Sequence, residues 1–130
     1  MKFNKETDYA IRMTIFCAKN KSQLLSSTSI VKECSIPENL GKVILTKLTS
    51  NNILESVKGK NGGIRYAHGP KVISLFDIIE KFEKVEINSC VENASSCTYK
   101  NGECAVRKEM INVKKVLENH FKNIFVEDLL

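Results

Sequence analysis

The sequence predicts a mainly α-helical fold that carries one small β-hairpin and includes a long helix near its end. Three observations predict it. Apolar residues recur at helical spacing over most of the chain, the tight-turn pair Asn61-Gly62 separates two short β-prone runs, and a heptad-like apolar repeat begins after residue 104. The 130 residues suffice for one compact unit, and at this size oligomerisation would add stability to a modest core.

The first helix is predicted over residues 5–20, because its apolar side chains largely share one helical face. These residues are Tyr9, Met13, Phe16 and Cys17. Thr7 or Asp8 is expected near the start of the helix, where acceptors of backbone N–H groups are favoured.

Two shorter helices across a tight turn are expected next. One covers residues 28–35, with a cap at Ser26, Ser27 or Thr28, and the other begins at Ile36-Pro37 and runs to about Asn51. The buried face of the second should consist of Leu40, Ile44, Leu45 and Leu48. Its exposed face should consist of Glu38, Asn39, Lys42, Thr46 and Lys47. Such a pair, the second helix having a polar face, is typical of a helix-turn-helix.

A basic hairpin follows, with predicted strands over residues 53–57 and 64–67 and a turn at 59–63. Lys58, Lys60 and Arg65 flank its glycine-rich tip. Directly after a helix-turn-helix, this hairpin reads as a wing that approaches a phosphate chain, so the fold class becomes a winged helix-turn-helix. The alternative is an ordinary surface hairpin with solvated lysines.

Charge is distributed unevenly along the chain. Residues 1–71 contain 12 Lys and Arg against 5 Asp and Glu, whereas residues 72–130 contain 8 against 10. This asymmetry favours a polyanion partner for the first region only. No apolar run is long enough to span a membrane and no signal peptide is visible, so we expect a cytoplasmic protein. No enzyme motif occurs, and we expect no catalytic residues.

The remainder should form one compact unit with the first region. Ser74 is expected to cap a helix over residues 74–84, and residues 88–103 read as a polar loop. The last helix should run from about Cys104 to Phe121. It is associated with a 4-3-4-3-4 apolar seam of Val106, Met110, Val113, Leu117, His120 and Ile124. That seam predicts a partner surface, which is either a second subunit, the chain's own first helix, or both.

Three of the five cysteines form a C-x6-C-x6-C pattern within the predicted cluster-binding loop of residues 88–104: Cys90, Cys97 and Cys104. Three thiolates so spaced can converge on one metal centre, and thiolates are the usual ligands of iron–sulfur clusters. The absence of a C-x2–4-C pair disfavours zinc, and thiols without metal or a redox disulfide pair stay as alternatives. Cys17 and Cys34 read as small buried hydrophobes.

A fourth ligand is needed, and the candidates are Asp8, Glu6, Glu103, His68 and His120. His120 would lie about 24 Å along the helix from Cys104, which is too far within one subunit. His68 belongs to the base of the wing. Glu103 adjoins Cys104, and Asp8 reaches the centre only if the first helix of one subunit meets the cysteine loop of another.

The whole chain resembles the iron–sulfur winged-helix repressors typified by IscR and NsrR, and within them it is most similar to the nitric-oxide-sensing NsrR branch. The resemblance rests on four segments and the cysteine triad. The segments are TDYAIR (7–12), ILTKLTSNNILESVKGKNGGIRY (44–66), FDIIEKFE (76–83) and VEDLL (126–130). The chain departs from its relatives in two places, with cysteine gaps of six rather than about five, and with Lys42 and Val43 in the recognition helix.

The resemblance implies a homodimer crossed by the long helix, with a cluster held by Cys90, Cys97 and Cys104. In the NsrR branch the fourth ligand is an aspartate of the partner's first helix, which falls on Asp8. The IscR solution, a histidine three residues after the third cysteine, is absent because Arg107 stands there. A [4Fe–4S] cluster is favoured and [2Fe–2S] is the alternative, with nitric oxide or oxygen as the signal.

The same resemblance implies a double-stranded DNA operator as partner. Glu38, Asn39 and Lys42 are expected to face the major groove. The wing tip should meet the adjacent minor groove or backbone through Lys58, Gly59, Lys60 and Asn61. Two rival functions stay open: a cluster-free regulator of this fold that responds to thiol oxidation or a partner protein, and a small iron–sulfur electron carrier.

Overall fold

A computed structural model describes residues 1–99 and 102–130 and confirms the predicted fold class. The helices are α1 (Lys5–Lys19), α2 (Ser27–Glu33), α3 (Glu38–Ser50), α4 (Leu75–Phe82), α5 (Ser89–Glu92) and α6 (Ala105–Lys122). Strands β1 (Glu55–Val57) and β2 (Gly63–Arg65) form an antiparallel hairpin between α3 and α4. Single 3₁₀ segments lie at Ala94–Ser96 and Val126–Leu129. None of the described helices has the length and apolar character needed to cross a bilayer.

Polar side chains cap the N-termini of α1, α2 and α4. Ser26 caps α2 and Ser74 caps α4, both within the predicted sets. For α1 the cap is Asn4, whose side chain accepts a hydrogen bond from the backbone N–H of Thr7 at 2.8 Å. Thr7 and Asp8 lie in the first turn, as expected, but the cap precedes them. The sequence did not identify Asn4 as the cap because the charged residues that follow it show no apolar period.

The core lies where α1, α2, α3, α4 and the base of the hairpin meet. Its largest members are almost completely buried: Met13, Ile30, Ile44, Leu48, Tyr66 and Ile78. Leu40 was predicted to be buried but is only half-buried, packing at the edge of this cluster. Its neighbour Gly41 is buried instead, which allows α3 to approach α2 closely.

Gly41 therefore sets the separation of the two helices, and Gly41→Ala tests this. A methyl group there would lie 2.4 Å from Cγ1 of Val31, so α2 and α3 must shift. We expect a net loss of about 1–3 kcal/mol in the free energy of unfolding by urea, despite the better helix propensity of alanine. Gly69→Ala is the matched control, because nothing lies within 4 Å of its added carbon. Equal stability of the two variants would contradict the prediction.

The hairpin is shorter than predicted, because Ile53, Leu54 and Tyr66 point into the core instead of extending the strands. It is anchored to the segment before α2. Leu25 N–H donates to the carbonyl of Ile64 at 2.9 Å, and Ile64 N–H donates back at 2.7 Å. The segment before α2 is thus hydrogen-bonded to the middle of β2, and the tip residues 58–61 of the wing are exposed.

The last residues of the described chain return to the base of the wing. Val126 is fully buried in the core, and its N–H donates to the carbonyl of Ile73 at 2.9 Å. The hydroxyl of Tyr66 donates to Glu127 Oε1 at 3.2 Å, and the N–H of Lys71 donates to Glu127 Oε2 at 3.3 Å. Burial of the phenol, with the carboxylate beside it, raises the pKa of Tyr66.

Candidate nucleic-acid interface and thiol site

The exposed face of α3 carries the residues expected to read DNA. Glu38 and Asn39 are exposed and Lys42 is half-exposed, one turn further along the helix. An ion pair of 2.9 Å joins Lys42 Nζ to Glu38 Oε1. The structure thus brings the three predicted residues together on one surface at the N-terminal end of α3.

The wing tip contributes a second polar surface with positive charge. Its predicted residues are all exposed: Lys58, Gly59, Lys60 and Asn61. Gly59 has φ +112°, a conformation that L side chains rarely adopt, and no other group crowds it. The tip can therefore bring its backbone close to a phosphate chain without steric hindrance.

A groove of about 750 Å³ lies between the C-terminal half of α3 and the hairpin. Its lining residues include Thr49, Ser56, Lys58 and His68, together with the acidic Glu55. The Thr49 hydroxyl donates to a carbonyl of its own helix, so the groups left to contact DNA phosphates are the Ser56 hydroxyl and the Lys58 ammonium group. His68 is held by a 2.6 Å hydrogen bond between its Nε2 and the carbonyl of Asn52, in line with its expected position at the wing base.

The cysteine segment is more structured than the predicted loop. Cys90 lies in α5, Cys97 follows the 3₁₀ segment, and Cys104 is the N-cap of α6. Arg107 links two of these positions, because its Nε donates to the Cys90 carbonyl at 2.8 Å and its N–H donates to Cys104 Sγ at 3.5 Å. The loop prediction was wrong for α5 and the 3₁₀ segment, which are short turns without a long apolar repeat.

Two of the three thiols share one pocket. Cys97 and Cys104 line a pocket of about 440 Å³, together with Arg107 and Lys108. All three cysteines are half-buried and none forms a disulfide. Among the described residues, no three Cys, His, Asp or Glu side chains converge closely enough to hold a metal ion. Two thiols and the cations Arg107 and Lys108 line this pocket, which is chemistry that fits an iron–sulfur cluster. The described residues of one chain do not bring the third thiol, that of Cys90, into the same group.

The remaining cysteines have a different environment. Cys17 and Cys34 are buried in the core, as predicted. Burial raises the pKa of Cys17 to about 12 and also raises that of Cys34. Both are therefore neutral thiols at ordinary pH, which suits packing and not metal binding.

Asp8 lies on the exposed side of α1 and is linked to the helix-turn-helix through one arginine. Its Oδ2 pairs with Arg12 Nη2 at 2.7 Å, and Arg12 Nη1 donates to the carbonyl of Cys34 at 3.0 Å. Cys34 is the C-cap of α2, at the turn before α3. The i, i+4 spacing of Asp8 and Arg12 was visible in the sequence, but the contact with the turn was missed.

The other suggested fourth ligands occupy separate places. Glu103 lines the thiol pocket beside Cys104. Glu6 is exposed on the first turn of α1, and His120 is exposed near the end of α6. Glu103 is thus the one alternative that the structure brings to the thiols within the same chain.

Helix α6 has 18 residues and buries none of them in this chain. It contacts α4 and α5, and its half-buried residues include Met110 and Leu117. Beside them lie three exposed valines: Val106, Val113 and Val116. Ile124, the last predicted seam residue, lies past the end of α6, where its carbonyl accepts a hydrogen bond from Leu75 N–H at 2.8 Å.

Comparisons with known proteins agree with this architecture. The Rrf2 family, described as an iron-dependent transcriptional regulator, matches residues 3–130. The chain is 35% identical to protein aau3 of Rhizobium meliloti (strain 1021) over 83 residues, which are 64% of the chain and 54% of that protein. It is 33% identical to the HTH-type transcriptional regulator NsrR of Bacillus licheniformis (strain ATCC 14580) over 84 residues, 64% of the chain and 59% of that regulator.

The chain thus spans little more than half the length of these two relatives. Among solved structures, CymR (YrzC), the global cysteine regulator of B. subtilis, superimposes with a TM-score of 0.80 at 22% identity. That superposition covers 99% of this chain and 95% of CymR, and it supports the fold alone.

Proposed function

We propose that this chain, which belongs to the Rrf2 family of DNA-binding transcriptional regulators and is not an enzyme, is a repressor. The proposed repressor is a cytoplasmic homodimer and binds an iron–sulfur cluster. Nitric oxide or oxidative conditions would be its signal. The observation that carries the proposal is the thiol pocket, where Cys97 and Cys104 lie together and Arg107 ties Cys104 to the backbone of Cys90.

Operator binding is proposed to use α3 and the wing. Both surfaces are exposed, they flank a groove with phosphate-binding groups, and they belong to the basic part of the chain. Glu38, Asn39 and Lys42 would enter the major groove, and Lys58 and its neighbours at the wing tip would contact the backbone.

Cluster binding is proposed to use Cys90, Cys97 and Cys104, with Asp8 of the partner subunit as fourth ligand. A [4Fe–4S] cluster is favoured over [2Fe–2S] on the resemblance to NsrR. When bound, such a cluster supplies iron that nitric oxide or oxygen can attack. The chain's own residues provide the thiolates, and Arg107 and Lys108 provide positive charge beside them.

Signal transfer to the DNA-reading helix is proposed to run through Arg12. Its guanidinium holds the Asp8 carboxylate on one side and the carbonyl of Cys34, before α3, on the other. If Asp8 bound a cluster instead, Arg12 would lose this charge-assisted bond and with it the partner that fixes its guanidinium beside the Cys34 carbonyl. A change in what Asp8 contacts therefore alters how firmly α1 supports the turn between α2 and α3.

A cluster-free thiol regulator is the second candidate function. The shared pocket of Cys97 and Cys104 favours it, because both residues line one pocket and a redox pair needs two thiols that can approach each other. The two candidates differ in whether iron is bound, which can be measured directly. The electron carrier is set aside because members of this family are transcriptional regulators.

The test is anaerobic purification followed by counts of iron and acid-labile sulfide per chain, with gel shifts on DNA from the protein's own promoter. We expect iron and sulfide in equal amounts, and at least tenfold weaker operator binding after nitric oxide. Asp8→Ala should change the absorption spectrum and that response, whereas Glu6→Ala, an exposed carboxylate of the same turn, should change neither. A metal-free protein whose binding responds to thiol oxidants would favour the second candidate.

A further inference from the structure

Helix α3 exposes one large apolar side chain on the face proposed to read DNA. Val43 is 66% exposed, whereas Ile44, Leu45 and Leu48 of the same helix are at most 1% exposed. Single exposed apolar residues are normal on protein surfaces, so exposure alone decides nothing. The position of Val43 makes it informative, because Val43 follows Lys42 and lies one helical turn after Asn39.

Most polar neighbours of Val43 are already engaged within the protein. Lys42 pairs with Glu38, and the hydroxyl of Thr46 donates to the Lys42 carbonyl at 3.0 Å. Lys47 lies over the ring of Phe82, with Nζ 4.6 Å from its centroid. The side chain of Asn39 has no hydrogen bond to any described residue. On this face, Asn39 and Val43 are therefore the side chains most free to meet a ligand.

The side chains of Asn39 and Val43 match the groups that an A·T pair presents in the major groove. An asparagine amide pairs with the N6 and N7 edge of adenine, and an apolar side chain contacts the C5-methyl group of thymine. Four helical residues rise about 6 Å, and base pairs are spaced about 3.4 Å apart, so both contacts fall within about two base pairs. Valine has a stiff side chain and loses little conformational freedom on contact.

We propose that Val43 is a specificity-determining residue that packs against a thymine methyl group in each operator half-site, next to an adenine read by Asn39. The inference rests on the proposed placement of α3 in the major groove. Because the methyl group occurs only at A·T pairs, this contact selects sequence, whereas the lysines of the wing add affinity for any duplex.

The test begins with the operator, selected from a random duplex library by the full-length protein. Each thymine is then replaced singly by deoxyuridine, which removes only the methyl group. The wild-type protein should lose about threefold to tenfold in affinity at one position per half-site. Val43→Ala should bind the unmodified operator more weakly by a similar factor and show no further loss with deoxyuridine at that position.

Val72→Ala is the matched control, since Val72 is also exposed but lies after the wing, outside α3. This variant should keep the full sensitivity to deoxyuridine. If Val43→Ala keeps it too, Val43 does not read the methyl group and the inference is wrong. If neither the wild type nor the variants bind any duplex, even at low salt, the proposed function is overturned and the inference falls with it.

Discussion

Serine at Cys97 is expected to abolish iron binding by this chain. The thiolate is the ligand that iron–sulfur clusters use, and a serine hydroxyl is not ionised at neutral pH. Cys97 lines the same pocket as Cys104, so its loss leaves that pocket with a single thiol. Iron and sulfide counts after anaerobic reconstitution should fall to background, and the absorption near 400 nm should disappear.

Cys17→Ala provides the control for this variant. Cys17 is fully buried, and burial raises its pKa to about 12, so it supplies no thiolate. The substitution should lower the stability of the core while leaving the iron content per folded chain unchanged. Loss of iron from Cys17→Ala together with full iron in Cys97→Ser would show that the cluster site lies elsewhere.

Glutamate at Val113 is expected to convert the proposed dimer into a monomer. Val113 lies between Val106 and Val116 on α6, and a carboxylate placed there would have to be desolvated in the interface. A monomer contacts only one operator half-site. Operator affinity should therefore fall by about 10² to 10⁴, the usual gain from linking two binding modules.

Asn119→Glu adds the same charge to a polar position of the same helix and should leave the dimer intact. Light scattering coupled to gel filtration gives the mass of each variant, and circular dichroism shows that Val113→Glu keeps its helices. A Val113→Glu protein that stays dimeric with unchanged operator affinity would remove the valines of α6 from the interface.

Local signals allowed most of the fold to be predicted from the sequence. The caps Ser26 and Ser74 and the Asn61-Gly62 turn are recognised within a few residues of chain, and each identified its element. The apolar period of α6 was equally clear. Val113 and Val116 are exposed in this chain, and for that reason the proposed second subunit is placed against them.

Contacts between distant residues could not be predicted in the same way. Arg12 donates to the carbonyl of Cys34, and any residue type supplies such a carbonyl, so no sequence pattern marks it. Glu127 is 61 residues from Tyr66, and its role depends on the path of the chain after α6. The short turns around Cys90 and Cys97 have too few apolar residues to show a period.

The contacts of residues 126 and 127 with the core and the base of the wing limit how residues 1–71 can be fused to another protein. Val126 completes the core beneath α1, and Glu127 fastens Tyr66 beside the hairpin. A chimaera that fused residues 1–71 to a foreign sensor would leave a hole where Val126 sits and a buried phenol without its acceptor. A functional chimaera would therefore need residues 126–130 together with residues 1–71, or another segment that fills the same space and accepts the same hydrogen bond.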